Sequence, residues 1–262
     1  MKIGFIGCGS MGSAMIYGLS KGGYADIYAY DLNESKVDYL VEKCNVSKMK
    51  HYREISDLDI VFLAVEPTVI KTLAPKIKQY IDSQIIISIA AGISIERLTT
   101  LFSKEQKLVR AMPNAPALIG EGITGLVYLN INEQEVVMIR ELFSCFGRYV
   151  ELSEKHFDAF TSLCGSSPAF VFMFIESLAN AGVLQGIPKE LAYDMVAQSV
   201  MGSAKMLLDN GEHPAKLKDG VCSPNGATIE GVVELEKYNF RYAVIQAALK
   251  TGKKSKKMSE SN

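Results

Sequence analysis

Six residues near the start of the chain, Gly7-Cys8-Gly9-Ser10-Met11-Gly12, restrict the possible folds more than any other stretch. They follow a short apolar run, Ile3-Gly4-Phe5-Ile6, and precede a helical pattern over residues 10–21. A G-x-G-x-x-G between a strand and a helix is the turn of a dinucleotide-binding βαβ unit. Gly7 permits the tight turn, Gly9 lets the backbone approach a pyrophosphate, and Gly12 lets helix and strand pack closely. The pyrophosphate would rest on the helix N-terminus. The spacing therefore predicts a cofactor cradle made of Ile6, Gly7, Cys8, Gly9, Ser10, Met11 and Gly12. The alternative is a glycine-rich βα turn with no ligand.

The end of the second predicted strand tests that reading. Asp31 follows Ile27-Tyr28-Ala29-Tyr30. An acid there accepts from the adenosine ribose 2′-OH and repels a 2′-phosphate, so it favours NADH. The other reading is a capping Asp ahead of Asn33. No Arg or Lys stands beside it in sequence, since Lys36 already belongs to the next helix.

Apolar strand-like runs recur at residues 2–6, 26–30, 59–64, 84–89 and 107–111, with weaker ones near 122–128 and 149–152. Helical patterns at 10–21, 33–44, 68–81, 94–102 and 133–146 separate them. Apolar strands alternating with amphipathic helices predict a mostly parallel sheet covered on both faces. From residue 154 the strand signal stops. Long helical patterns run over 168–184, 188–210, 227–237 and 241–253. Pro168 and Pro188 stand at helix starts, and Gly186 and Gly211 just past helix ends. The expected architecture is α/β: an N-terminal Rossmann-type doubly wound sheet over 1–152, followed by an all-α domain over 153–262.

Composition narrows the function classes. A net charge of −1 over 262 residues gives no bulk field for nucleic acid. Only the end, KTGKKSKKMSESN, is basic, and it reads as a frayed tail. The five cysteines are scattered and odd in number, with no C-x-x-C. They suggest neither a metal site nor a disulfide frame, and a cytoplasmic setting fits. The start, MKIGFIG, is strand-like rather than a charged n-region, so no signal peptide is expected. The apolar run at 168–175 is stopped by Glu176, short of a membrane span.

The second informative stretch is Pro214 to Glu236, PAKLKDGVCSPNGATIEGVVELE. A turn of small residues, Cys222–Gly226, opens a helix near Ala227. Free N–H groups at such a turn suit a small anion such as a carboxylate. Thr228 adds a hydroxyl in the first turn. An ordinary N-capped helix is the bland alternative. The whole string resembles the signature of pyrroline-5-carboxylate reductases, S-P-G-G-x-T followed by an apolar helix with a small residue, here Gly231. Asn225 stands where the family usually has glycine.

The resemblance runs over about residues 2–250 and carries expectations with it. It implies reduction of 1-pyrroline-5-carboxylate to L-proline with NAD(P)H. Substrate binding would fall to Ser223, Pro224, Asn225, Gly226, Ala227 and Thr228, with Thr228 also the catalytic candidate. Many relatives use NADPH, which opposes the lean to NADH from Asp31. The turn Ala64-Val65-Glu66-Pro67 departs from the family's A-V-K-P, and Glu66 again disfavours an extra phosphate. Ala90-Ala91-Gly92 and Met112-Pro113-Asn114 match family turns, so Ala90, Ala91, Pro113 and Asn114 join the cofactor list. Asn114 could equally cap its own turn. Gly165-Ser166-Ser167-Pro168-Ala169 resembles the family's G-S-G-P-A-Y beside the nicotinamide, with Phe170 replacing the tyrosine. Interlocking helical domains in the family favour a dimer over a self-contained helical core.

Reducing a protonated cyclic imine needs a held carboxylate, an oriented carbon and excluded water, not a strong base or a metal. Thr228 is then a donor and positioner. The competing chemistry is a related imine or β-hydroxyacid-type reductase. Alcohol oxidation needs a base, and that family keeps a lysine on an early helix of the second domain. The helix from Pro168 has none, and Lys205 reads as snorkelling along its helix. His51, His156 and His213 are isolated, and Cys222 reads as a small filler.

Overall fold

Short runs of Ile, Val, Leu and Phe make strands buried on both faces, as a parallel sheet requires. The computed structural model describes residues 1–261. The sheet half contains β1 (Ile3–Ile6), α1 (Ser10–Lys21), β2 (Ile27–Tyr30), α2 (Glu34–Cys44), β3 (Ser47–Lys48), β4 (Ile60–Leu63), α3 (Pro67–Ile77), β5 (Ile85–Ser88), α4 (Ile95–Leu101), β6 (Leu108–Met112), β7 (Gly122–Leu129), α5 (Glu133–Ser144) and β8 (Gly147–Glu151). The strand order is β3-β2-β1-β4-β5-β6-β7-β8. Among the described residues only the β6–β7 pair is antiparallel. The order reverses between β1 and β4, and ligands of such sheets bind at that crevice, beyond the strand C-termini.

Alternate strand residues feed opposite layers. Ile3, Phe5, Ile60 and Phe62 pack with Met15 and Ile16 of α1, Leu40 of α2 and Phe143 of α5. Val61, Leu63 and Ile86 pack with Ile70 and Leu73 of α3 and Leu98 of α4. The rings of Phe5 and Phe62 stack across neighbouring strands, centroids 4.5 Å apart. β3 was not expected: two polar residues between Val46 and Met49 carry no periodic signal, and their pairing with β2 is decided by the sheet edge.

The remaining elements are α6 (Phe157–Phe160), a π-turn (Thr161–Gly165), α7 (Ser167–Leu184), α8 (Lys189–Asn210), α9 (Pro214–Gly220), α10 (Ala227–Lys237) and α11 (Phe240–Ser261). The chain divides into two compact units. One is Met1–Ser166 with the residues from Thr251 onward, and the other is Ser167–Lys250. Phe157 and Phe160 are buried within the first unit, which carries it past residue 152.

Two expectations are corrected. The basic C-terminal stretch is helical to Ser261, not frayed; Asn262 lies outside the described residues. Its anchor is Ser255, buried, whose Oγ donates to Asp158 Oδ1 at 2.7 Å. The apolar stretch around residues 168–175 is also longer than it reads. The π-turn joins α6 to α7, giving a 31-residue helical run, Glu154–Leu184, that contains an 18-residue window of mean hydropathy 1.4, long and apolar enough to cross a membrane by those two measures.

Candidate active site

The glycine turn owes its shape to contacts that a side chain would destroy. Gly7 has φ +103°, and a Cβ there would stand 2.3 Å from the Ala64 carbonyl oxygen. A Cβ on Gly12 would stand 2.3 Å from the Gly7 oxygen. Gly9 differs: nothing lies within 4 Å of its Cβ position. The fold sets no contact there, so the backbone of the turn is open to an approaching ligand. Gly9 is the N-cap of α1, and no side chain caps the helix. The first-turn N–H groups of Ser10, Met11 and Gly12 have no partner inside an α-helix and point at an incoming anion. A dinucleotide pyrophosphate fits this cradle.

Asp31 is already engaged. Its Oδ2 accepts from the Cys8 N–H at 2.7 Å and its Oδ1 from the Asn33 N–H at 2.8 Å. It therefore braces the glycine turn and starts the β2–α2 corner, with lone pairs remaining for a ribose hydroxyl. The same contact, after burial itself, pushes the Cys8 thiol up to about 12, so it is no nucleophile.

A cavity of about 270 Å³ opens at the crevice between β1 and β4. Of the expected cofactor residues, Ile6, Gly7, Gly9, Asp31, Ala64, Val65 and Glu66 line it. Cys8, Gly9 and Ser10 line an adjoining cavity with Lys36. Pro67 is the first residue of α3. Ala90 and Pro113 are buried just past the ends of β5 and β6, and Ala91 is half-buried there. Asn114 is buried, with its side chain spent on the protein. Oδ1 accepts from the Ile123 N–H at 2.9 Å, and Nδ2 donates to the Cys164 carbonyl at 3.1 Å.

Sequence reasoning missed six residues of this cavity: Tyr30, Leu32, Lys36, Tyr52, Val69 and Leu73. Tyr30 and Tyr52, with ring centroids 4.7 Å apart, line the crevice and offer an aromatic wall. Lys36 lines it as well, which corrects the view that no cation stands near Asp31. The first turn of α2 brings Lys36 back over the end of β2, and a one-turn helical offset was the available signal. Its helix neighbours Glu34 and Asp38 are drawn off to Lys48.

In the second unit, Cys222–Gly226 links α9 to α10. Asn225 has φ +57°. Asparagine tolerates the left-handed region better than other non-glycine residues, so it can stand where relatives use glycine. The Gly226 N–H donates to the Ser223 carbonyl at 3.0 Å, and a Cβ on Gly226 would lie 2.4 Å from Ser223 Oγ. No side chain caps α10, so its first N–H groups, beginning at Ala227 and Thr228, are left for a ligand. Ser223, Pro224, Asn225, Ala227 and Thr228 are exposed. Thr228 also lines an apolar cavity of about 780 Å³ with Phe170, Phe174, Gly231 and Phe240.

The other candidates are occupied elsewhere. Lys205 pairs with Asp209 at 3.0 Å on the exposed face of α8. His213 Nδ1 caps α9 by accepting from the Ala215 N–H. His156 meets the Ser153 hydroxyl at 3.1 Å. His51 sits at the start of a 3₁₀ turn over Tyr52–Asp57.

Known proteins resemble this chain along its whole length. Residues 154–258 match the family model described as pyrroline-5-carboxylate reductase dimerisation. Residues 2–92 match the model of NADP oxidoreductase, coenzyme F420-dependent. The pyrroline-5-carboxylate reductase of Escherichia coli is 41% identical, covering 99% of both chains. That of Arabidopsis thaliana is 36% identical over 99% of this chain and 96% of its own. A solved pyrroline carboxylate reductase of Plasmodium falciparum with NADP bound shares 33% identity, with TM-score 0.90 over 99% of this chain and 98% of that one.

The glycines make separable predictions. Gly9→Ala should leave the thermal midpoint unchanged and weaken NADH binding about tenfold or more, about 1.4 kcal/mol, in a fluorescence titration. Gly12→Ala should instead lower the midpoint, because its Cβ meets backbone. Equal loss of stability in both variants would refute the division of roles.

Proposed function

This chain belongs to the pyrroline-5-carboxylate reductase family, and on that premise we propose which of its residues do the work. It is an NAD(P)H-dependent oxidoreductase acting on a C=N bond, reducing 1-pyrroline-5-carboxylate to L-proline in the last step of proline biosynthesis. The observation that carries the residue-level reading is the uncapped start of α10 behind the Ser223–Gly226 turn. There the N–H groups over Ser223–Thr228 hold the substrate carboxylate. The Thr228 hydroxyl orients the imine nitrogen and its proton. A hydroxyl is a poor acid, but an imine protonated before it binds needs position rather than acid catalysis. When bound, the reduced nicotinamide supplies the hydride. Gly7, Gly9 and the start of α1 hold its pyrophosphate, and Asp31 meets the adenosine ribose.

Asp31 and Glu66 line one cavity with a single basic side chain, Lys36. That balance supports a preference for NADH over NADPH. Asp31→Ser should move the NADPH-to-NADH ratio of kcat/KM upward about 10- to 100-fold, the scale of a charge-assisted contact. Adding Lys36→Gln should take most of that gain away. A wild type that already prefers NADPH more than tenfold defeats the reading.

Lys205, exposed and paired with Asp209, gives the β-hydroxyacid alternative no base. Thr228→Ala should lower kcat/KM for the imine about 10- to 100-fold, about 1.4–2.7 kcal/mol, without changing cofactor affinity. Thr228→Ser should recover most of it, and Lys205→Ala should cost little. Near-complete loss in Lys205→Ala with Thr228→Ala unaffected would falsify the mechanism.

The chain self-associates, and the helical unit supports a dimer as the form. Phe172, Met173, Met201, Leu208, Leu235 and Ile245 are exposed there, large apolar side chains of the kind that mark an interaction surface. A partner's helices covering it would also account for the apolar Glu154–Leu184 run without a membrane. The near-neutral charge gives nucleic acid no footing. Five free cysteines suit the cytoplasm. Sedimentation at micromolar concentration should show at least a dimer, and Leu235→Glu should shift it to smaller species. A fully active wild-type monomer there ends this proposal.

A further inference from the structure

One face of β6 continues as a seam beyond the strand. Arg110, Met112 and Asn114 alternate along the chain, and each touches the helical run that begins at Glu154. Arg110 Nη1 donates to Glu154 Oε1 at 2.6 Å, and its guanidinium lies 3.8 Å above the Phe157 ring. A Cβ on Gly165 would come 3.1 Å from Met112 Cε. Asn114 ends the seam at the Cys164 carbonyl.

That carbonyl has a particular need. In an α-helix it would accept from the N–H four residues on, but that residue is Pro168, which has none. The ladder is already shifted by one at this point, with the Ser166 N–H donating to the Thr161 carbonyl at 2.9 Å. Such π-turns are rare and recur at functional sites. Asn114 Nδ2 supplies the donor that Pro168 lacks, while its Oδ1 is fixed by the Ile123 N–H. One N–H and one lone pair of the amide are held by the protein and the residue is buried, so little of it is open to a ligand.

We infer that Asn114 is a positioning residue for the reductase reaction and not a cofactor ligand: it locks the π-turn Thr161–Gly165, and so fixes Gly165 and Ser166, the start of the turn that the family resemblance puts beside the nicotinamide. The inference rests on the proposed function for its kinetic consequence alone. Its structural half is independent of the substrate.

The test uses the full chain with Asn114→Ala, Asn114→Asp and the double variant Asn114→Ala/Pro168→Ala. Asn114→Asp keeps the acceptor for Ile123 and removes the donor to Cys164, so it isolates one bond and stays folded if the alanine variant does not. Three readouts are taken: NADH affinity, kcat and KM with pyrroline-5-carboxylate, and hydrogen exchange at the Ser166 amide. Both single variants should bind NADH within about twofold of wild type. In both, kcat should fall about 10- to 100-fold, the effect of an ångström-scale misplacement, and the Ser166 amide should exchange about tenfold faster or more. The double variant, which restores an N–H at position 168, should regain Ser166 protection. A tenfold loss of NADH affinity with Ser166 protection unchanged would make Asn114 a ligand and overturn the inference. Wild-type kcat in Asn114→Asp would overturn it too. If the wild type fails to reduce the imine, the proposed function falls, and Ser166 exchange with NADH affinity still decides the role of Asn114.

Discussion

The sheet unit depends on how closely three backbone segments approach one another. Gly7 leaves β1 against the Ala64 carbonyl at the end of β4, and Gly12 lies against the carbonyl of Gly7. No residue with a Cβ fits either place. The same contacts hold the α1 N-terminus directly over the crevice where the strand order reverses. Asp31 then ties β2 to the turn through the Cys8 N–H. The backbone packing of one βαβ unit and the anion cradle are thus a single arrangement. The empty space at Gly9 is the part of it that the fold does not require.

Much of this was legible in the sequence, for identifiable reasons. Strands such as Ile60–Leu63 and Ile85–Ser88 are buried on both faces, so they read as unbroken apolar runs. The glycine spacing marks its own turn. What stayed hidden depends on distant partners. Lys36 lines the crevice because α2 folds back, and Asp31 is half committed to a neighbouring loop. Asn114 could be read as a wall or a cap because its two partners lie 9 and 50 residues away. The basic tail looked frayed because its composition is polar, yet Ser255 and Asp158, 97 residues apart, anchor it. Single-sequence periodicity carries no record of such pairings.

The departures from the family pattern are also physical and local. Asn225 replaces a glycine at φ +57°, a conformation asparagine tolerates. Glu66 replaces a lysine at a turn that lines the cofactor crevice with Asp31. The first leaves the substrate turn intact. The second changes the charge met by a phosphate on the ribose while leaving the glycine cradle unaltered. In the proposed reading, substrate recognition and cofactor choice therefore fall to separate residues of this chain.

The two units differ in how far each is complete. In the sheet unit, helices cover both faces and the central strands β1, β4 and β5 are buried along their whole length. In the helical unit only Ala179 and Ala192 of the apolar residues are buried, while Phe172, Met173, Met201 and Leu235 face outward. Helices with so little buried surface gain little from packing alone and need further apolar area to offset their ordering cost. Thr228 lines the apolar groove and stands in the first turn of α10, behind the substrate turn. Whatever covers the groove also removes water from beside that hydroxyl, where a hydrogen bond to the imine gains strength as the surroundings dry. Under the proposed role of Thr228, assembly and chemistry meet at this residue: the partner that covers the groove completes the helical core and dries the turn that would hold the substrate.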